Sequence, residues 1–326
     1  MKNINWAVLG TGVIANEMAV ALQKNGKSIY AVGNRTHEKA VAFAEKYGIG
    51  KVYDDFNDMF TDPNVDVVYI TTPHNTHIEF MKKAIANGKH ILVEKSITLN
   101  SSELEEALTL AEKKDVIVAE AMTIYHMPIY KKLNEILASG KLGRVNLITT
   151  NFGSFKDYNM KNRIFNRSLA GGAMLDIGVY SLSFIRWFFA SKPNSVLSQM
   201  KKAPTGVDEQ ASMLLTNKEG QMATVMLSLH SKQPKRGVVS CEKGYIEIME
   251  YPRAWETTIT YAESGETETV SAGKYEDALA YELEDMEKAI LGEANYMHLD
   301  YTKDVMDIMT DFRRNFDLIY PEEENK

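Results

Sequence analysis

Apolar residues follow two rhythms along this chain, and the rhythm changes near residue 121. Before that point, short apolar runs of strand length alternate with stretches whose apolar positions recur every three or four residues. The second spacing is that of a helix with one buried face. Runs at residues 4–9, 28–32, 51–53, 65–70, 90–93 and 116–119 read as buried strands. Helices are expected from residue 14, over 37–47, up to a stop at Asn87-Gly88, and over 101–114 with Ser101 and Ser102 as the N-cap region. Such alternation predicts a doubly wound parallel sheet, with ligands beyond the carboxyl ends of its strands.

Past residue 122 the alternation stops. A helix over 128–138 closes on Ser139-Gly140, a strand follows at 145–151, and an apolar helix is expected over 173–189. Then come strand-like stretches at 195–201, 210–216, 221–230, 245–249 and 257–261, separated by turn formers such as Asn217-Lys218-Glu219-Gly220 and Glu263-Ser264-Gly265. An α+β domain with a large, open, mostly antiparallel sheet is the natural reading. Helices over 276–291 and 301–316 complete it, and the polar end at 322–326 is expected to fray. Two domains are therefore expected, 1–121 and 122–326. Met213-Leu214-Leu215 and residues 222–229 are more apolar than a water-facing sheet requires, which points to a homodimer or homotetramer through the sheet. The competing expectation is that the helix over 173–189 covers the apolar face.

Composition narrows the function classes. The 326 residues, 44% hydrophobic and 25% charged, suffice for two cores. A formal net charge of −7 gives no footprint for nucleic acid or a membrane surface, and small-molecule chemistry is favoured. Cys241 is the sole cysteine, which excludes an internal disulfide framework and a multi-cysteine zinc site and fits a reducing, cytoplasmic setting. No signal-peptide pattern and no apolar stretch of membrane-spanning length is read, so the Asn-x-Ser matches at Asn100 and Asn166 are taken as chance.

The first strand runs into Gly10-Thr11-Gly12-Val13-Ile14-Ala15 and then a helix. This form suits a dinucleotide: the first glycine permits the turn, the second lets backbone approach the pyrophosphate, and Ala15 lets helix and strand pack closely. An acidic residue roughly 20 positions on would bind the ribose in an NAD-type site, but that place reads Gly33-Asn34-Arg35-Thr36. With Arg35 there and no carboxylate, NADP(H) is favoured, with NAD(H) the alternative. Cofactor contacts are expected from Gly10, Thr11, Gly12, Val13, Ile14, Asn34, Arg35, from the loop residues Thr72, Pro73, His74, Asn75 and His77, and from Glu94 and Lys95 at a strand end. His74 and His77 lack a third metal ligand and read as loop and helix-start hydrogen-bonding groups, so no metal is expected. Asp176 and Tyr180 are four apart and share a face if their segment is helical. Arg163 is a candidate substrate contact, with Arg167 beside it, against the plainer reading of surface solvation.

Four features together, Gly10-Thr11-Gly12-Val13-Ile14-Ala15, Thr72-Pro73-His74-Asn75-Thr76-His77, Glu94-Lys95 and Gly171-Gly172-Ala173-Met174-Leu175-Asp176-Ile177-Gly178-Val179-Tyr180, resemble the Gfo/Idh/MocA family of nicotinamide-dependent oxidoreductases. The resemblance spans nearly the whole length and is strongest to the dimeric dihydrodiol dehydrogenase and D-xylose dehydrogenase branch. It implies a Rossmann domain followed by an open-sheet α/β domain, NADP as coenzyme, and a carbohydrate-sized polyol, vicinal diol or carbonyl form as substrate. The usual Glu-Lys-Pro is Glu94-Lys95-Ser96 here. Catalysis is then expected from Lys95, Asp176 and Tyr180. Tyrosine and lysine both titrate at about 10 unperturbed, so a cation must assist the phenol. Tyr180 would move the proton, Lys95 would stabilise charge on the reacting oxygen, and Asp176 would orient Lys95 or a substrate hydroxyl. The alternative makes Lys95 the donor and Tyr180 the orienting group. A non-catalytic NAD(P)-binding regulator or sensor is the rival class, and it would be expected to lose this acid/base set.

Overall fold

The chain divides into two units in the computed structural model, which describes residues 3–324. The first runs up to Ala121 and takes in Leu279–His298; the second holds the remainder.

The first unit alternates strand and helix as expected: β1 (Trp6–Leu9), α1 (Val13–Lys24), β2 (Ala31–Gly33), α2 (His37–Tyr47), β3 (Lys51–Tyr53), α3 (Phe56–Thr61), β4 (Val67–Ile70), α4 (His77–Ala86), β5 (His90–Glu94), α5 (Ser101–Lys114) and β6 (Val118–Ala121). Its six strands lie in the order β3-β2-β1-β4-β5-β6, every pairing parallel. Strands β1 and β4 are buried along their whole length, which is why they read as unbroken apolar runs instead of alternating ones. The order reverses at β1, and the carboxyl ends of β1 and β4 therefore frame the crevice where such sheets take ligands. Helix α3, absent from the sequence reading, has only six residues, too few to show a period, and starts where the Asp55 side chain accepts the Asn57 N–H.

Residues Leu279–His298, assigned by sequence to the second domain, pack in the first. Leu279, Leu283 and Met286 join one apolar cluster with Trp6, Val8 and Met18. The Trp6 indole donates to Glu287 at 3.0 Å, and Lys27 pairs with the same carboxylate. Sequence order alone could not place this helix, since its partners lie more than 250 residues away.

At the amino ends of the strands, the buried Asp62 carboxylate accepts from Lys51 at 2.6 Å, from Tyr30 at 3.1 Å, from Tyr53 and, at 2.9 Å, from the Asn64 N–H. Burial alone would raise its pKa, but these donors outweigh burial and hold it well below the usual carboxylate range. A depressed folded value contributes stability above the unfolded value of about 4 that is lost as pH falls towards the folded one. Asp62→Asn is expected to cost about 1–3 kcal/mol at neutral pH and less at pH below about 4. Chemical denaturation at both pH values checks this; an equal loss at both would remove the ionised carboxylate from the account.

The second unit contains α6 (Pro128–Ala138), β7 (Val145–Gly153), a π-turn (Met174–Gly178) continuing into α7 (Val179–Phe188), and then β8 (Pro193–Lys202), β9 (Asp208–Asn217), β10 (Met222–Ser228), β11 (Gln233–Cys241), β12 (Gly244–Met249), β13 (Glu256–Tyr261), β14 (Thr267–Ser271) and a helix at Leu299–Asn315. The sheet order is β14-β13-β12-β11-β7-β10-β9-β8, antiparallel except where β10 runs parallel to β7. Strands β11 and β14 were not expected from the sequence. The first opens on Gln233-Pro234-Lys235-Arg236-Gly237, which reads as a loop, and the second is a short polar edge.

Helix α7 lies on one face of this sheet, so closely that a Cβ on Gly237 would sit 2.4 Å from the Phe184 ring. The opposite face stays open. Register puts Met222, Leu147 and Tyr245 in one row and Met226 and Met249 in another, four residues along, and all five are exposed. The expected helix cover is thus found on one face of the sheet, and the apolar residues of the other face are exposed. Residues Arg167–Phe188, contrary to the sequence reading, are apolar enough to span a membrane by length and composition; 78% of their apolar window is buried, as in a core helix. The polar end is fastened as far as Glu324: Glu323 pairs with Arg313 at 2.7 Å and accepts the Tyr320 N–H at 2.9 Å. The remainder of the predicted fraying, at 325–326, lies outside the described residues. Asn100 and Asn166 both act as N-caps, accepting from Glu103 and Ser168 respectively.

Candidate active site

The glycine turn is tied to both neighbouring strands. Gly10 donates to the Gly33 carbonyl at 2.8 Å, and Thr71 donates to the Leu9 carbonyl at 2.9 Å. Gly10 itself has φ +110°, and a Cβ there would meet the Thr71 hydroxyl at 2.4 Å. Gly12 precedes α1 with extended backbone and nothing within 4 Å of a Cβ position, and α1 has no side-chain cap and no acidic residue in its first turn. Its first N–H groups are thus available to an anion entering the open space at Gly12, which a pyrophosphate fits. Val13 is 79% exposed beside it, Ile14 is half-buried, and Ala15 is fully buried against the sheet. Asn34 bridges turn and strand, donating to the Thr11 hydroxyl at 2.7 Å and accepting the Thr36 N–H at 2.9 Å. Arg35 is exposed at the end of β2.

The loops after β4 and β5 are bound to each other by histidine. His77 is fully buried, with Nε2 2.8 Å from the Thr72 carbonyl and Nδ1 3.1 and 3.2 Å from those of Ser96 and Ile97. Burial pushes its pKa down against the pull of these carbonyls. His74 Nε2 lies 3.0 Å from the Lys95 carbonyl. Both rings are thus engaged with main chain, and among the described residues no three His, Cys, Asp or Glu side chains group as metal ligands. Pro73 leads the short turn, where Thr76 donates to its carbonyl at 2.8 Å, and Asn75 lies within that turn. Glu94 accepts from Tyr69, and the Lys95–Ser96 peptide is cis. On the far side, buried Glu120 accepts the Ile97 N–H at 3.0 Å. Tyr69 and Glu120 escaped the sequence reading, although a glutamate inside Val118-Ala119-Glu120-Ala121 was a signal that something buried needed an acceptor. Lys95 therefore projects from a backbone fixed on both sides.

In the second unit Gly172 takes φ +127°, with a Cβ position 2.0 Å from Asp208 Oδ1. Beyond it the chain forms not the regular α-helix expected but a π-turn over Met174–Gly178 before α7 begins. An i→i+5 turn admits one extra residue, a feature common at functional sites. Asp176 is half-buried, and Arg163 Nη2 stands 3.4 Å from its Oδ1, so the structure brings these two predicted residues together. The Tyr180 ring centroid lies 6.2 Å from that of Phe152 on β7. Arg167 goes elsewhere, donating to the Ile319 carbonyl at 2.8 Å and to Glu324 at 2.5 Å, a clasp on the C-terminal segment. Lys95 belongs to the first unit; Arg163, Asp176 and Tyr180 belong to the second.

Comparison with known proteins agrees with this division. Residues 4–122 match the oxidoreductase family with NAD-binding Rossmann fold, and residues 130–247 match the GFO/IDH/MocA C-terminal domain. The trans-1,2-dihydrobenzene-1,2-diol dehydrogenase of Xenopus laevis is 28% identical over 97% of this chain and 99% of its own length. The Mus musculus protein of the same name is 31% identical over 75% of this chain and 74% of its own length. Among solved structures, the aldose-aldose oxidoreductase of Caulobacter crescentus superposes with a TM-score of 0.86 at 24% identity, covering 96% of this chain and 97% of that one. A 3-ketoreductase of Actinomadura kijaniata, solved with NADP and TDP-benzene, gives 0.85 at 18% identity, covering 94% and 96%. The dinucleotide turn, the Glu94-Lys95 strand end and the Asp176/Tyr180 segment thus stand in a chain that belongs to the Gfo/Idh/MocA family of oxidoreductases.

Proposed function

We propose that the protein is an NADP(H)-dependent oxidoreductase transferring hydride between the coenzyme and a secondary alcohol or carbonyl of a sugar, polyol or vicinal diol. The observation that carries this reading over a sensor is the investment of buried groups in the backbone around Lys95: His74, His77 and Glu120 all serve that turn. A protein that only binds nucleotide has no use for a lysine so fixed. The substrate class is supported by relatives named for diol and aldose chemistry. When bound, the coenzyme supplies or accepts the hydride; the chain's own residues handle the proton and the charge. Tyr180 moves the hydroxyl proton, Lys95 stabilises negative charge on the reacting oxygen, and Asp176, in contact with Arg163, orients a substrate hydroxyl.

The NADP preference rests on Arg35 and the absence of a carboxylate at the end of β2. Arg35→Ser is expected to raise the KM for NADPH about 10-fold with that for NADH little changed; equal effects on both would remove the 2′-phosphate from the account. The open face of the large sheet, with Met222, Met226 and Tyr245 exposed, is proposed as a homo-oligomer interface, and a monomeric mass by light scattering at micromolar concentration would end that idea. A reducing, cytoplasmic setting belongs to the same proposal: Cys241 is the sole cysteine, and burial pushes its thiol up to about 11, away from thiolate chemistry. The deciding experiment follows NADPH absorbance with a panel of aldoses, ketoses, inositols and dicarbonyls. Turnover with a hydroxyl or carbonyl substrate supports the enzyme; nucleotide binding without turnover across the panel favours the sensor.

A further inference from the structure

Asp208 is the first residue of β9 and has no exposed surface. Its Oδ2 accepts the Met174 N–H at 2.5 Å, and Met174 is the residue at which the π-turn begins. Its Oδ1 has no hydrogen-bond partner. That oxygen occupies the place a side chain would need at position 172, so Gly172 and Asp208 fit only as a pair. The same elbow is gripped once more, by the buried Tyr320 hydroxyl donating to the Gly171 carbonyl at 2.6 Å. Arg313 supports Tyr320 from below, 4.8 Å from its ring centroid, itself fixed by Glu323.

A carboxylate with one unpartnered oxygen in the interior is costly, and the cost shows as a pKa pushed by burial up to about 7. An apolar residue would fill the space at less expense, so the acceptor must do something there. What it does geometrically is cap: it takes one of the N–H groups left without a partner where a helical segment starts. The start point matters because the turn holds one extra residue. Were the Met174 N–H released, the segment could relax to an i→i+4 turn. Since α7 is held by the sheet, Asp176 would then rotate relative to Tyr180.

We propose that Asp208 is the positioning residue of this site, setting where the π-turn begins and thereby the relative directions of Asp176 and Tyr180. This rests on the proposed catalytic roles of those two residues. The test compares Asp208→Ala, which removes the acceptor, with Asp208→Asn, which keeps one; Asn caps as well as Asp. Turnover is read with NADPH and 2,3-butanedione and with NADP and D-xylose. The expected result for Asp208→Ala is a loss of roughly 10- to 100-fold in kcat, of the size that small misplacements cause, with NADPH affinity within about twofold and most of the loss recovered in Asp208→Asn. Wild-type kcat in a folded Asp208→Ala protein, or equal loss in both variants, would overturn the proposal. Should Asp208→Ala fail to fold, Tyr320→Phe, which frees the Gly171 carbonyl, is expected to lower kcat in the same way; unchanged kcat in that variant counts against the elbow as a positioning device. An arm without substrate separates this idea from the functional reading. Hydrogen exchange at residues 174–180 is expected to quicken in Asp208→Ala relative to 182–188, and unchanged exchange overturns the capping role even if wild-type turnover is never found.

Discussion

Tyr180→Phe is expected to lower turnover about 10²-fold or more while NADPH affinity stays within about twofold. The substitution keeps the ring that packs beside Phe152 and removes only the hydroxyl. Lys95→Met, which keeps the length of the stem and removes the ammonium, is expected to have an effect of similar size. Together the two variants separate the competing assignments. If Tyr180 moves the proton, both single losses are large and the double variant falls little below the worse single, because groups acting on one oxygen fail as a unit. Losses that multiply in the double variant would mean the residues act independently. Near-normal turnover in Tyr180→Phe beside a collapse in Lys95→Met would transfer proton movement to the lysine. Steady-state kinetics with 2,3-butanedione, checked by unfolding midpoints, reads all three.

The parts of this protein that were legible in its sequence are those whose cause is local. Strands β1 and β4 announce themselves because a parallel strand buried on both faces must be apolar throughout. The glycine turn and the Asp176/Tyr180 spacing are visible because a turn and a helical face are defined within a few residues. What stayed hidden depends on distant partners. The role of Asp208 lies in an N–H 34 positions away, and Glu120 answers an N–H 23 positions away, so neither carboxylate carries a motif. The helix Ala278–Ile290 is plain as a helix, but only the contact with Trp6 and Val8 says which core it completes. The π-turn is the sharpest case: the spacing of Asp176 and Tyr180 reads as a helical face, while the π-turn over Met174–Gly178 lies beside a carboxylate 34 positions on in the chain.

Gly10→Ala is expected to destabilise the first unit by roughly 2–5 kcal/mol, the sum of a forced backbone conformation and an overpacked contact, and to weaken NADPH binding along with it. Two separate faults act at this position. With φ at +110° the backbone lies where residues bearing a Cβ are strained, and that Cβ would approach the Thr71 hydroxyl to 2.4 Å and the Thr71 carbonyl oxygen to 3.2 Å. Thr71 is not free to move aside, since its N–H is spent on the Leu9 carbonyl at 2.9 Å and its hydroxyl on the same oxygen at 3.1 Å. The strain must therefore pass into the turn that leads to Gly12 and the amino end of α1, where the coenzyme phosphates are proposed to bind. Adding Thr71→Ala removes the hydroxyl but neither the carbonyl contact nor the backbone strain. The double variant is accordingly expected to recover part of the stability and little of the nucleotide affinity. Thermal unfolding and a fluorescence titration with NADPH measure the two quantities separately. Full recovery of both would make the hydroxyl contact the whole cause; no change in either for Gly10→Ala would mean that the turn does not hold the conformation assigned to it.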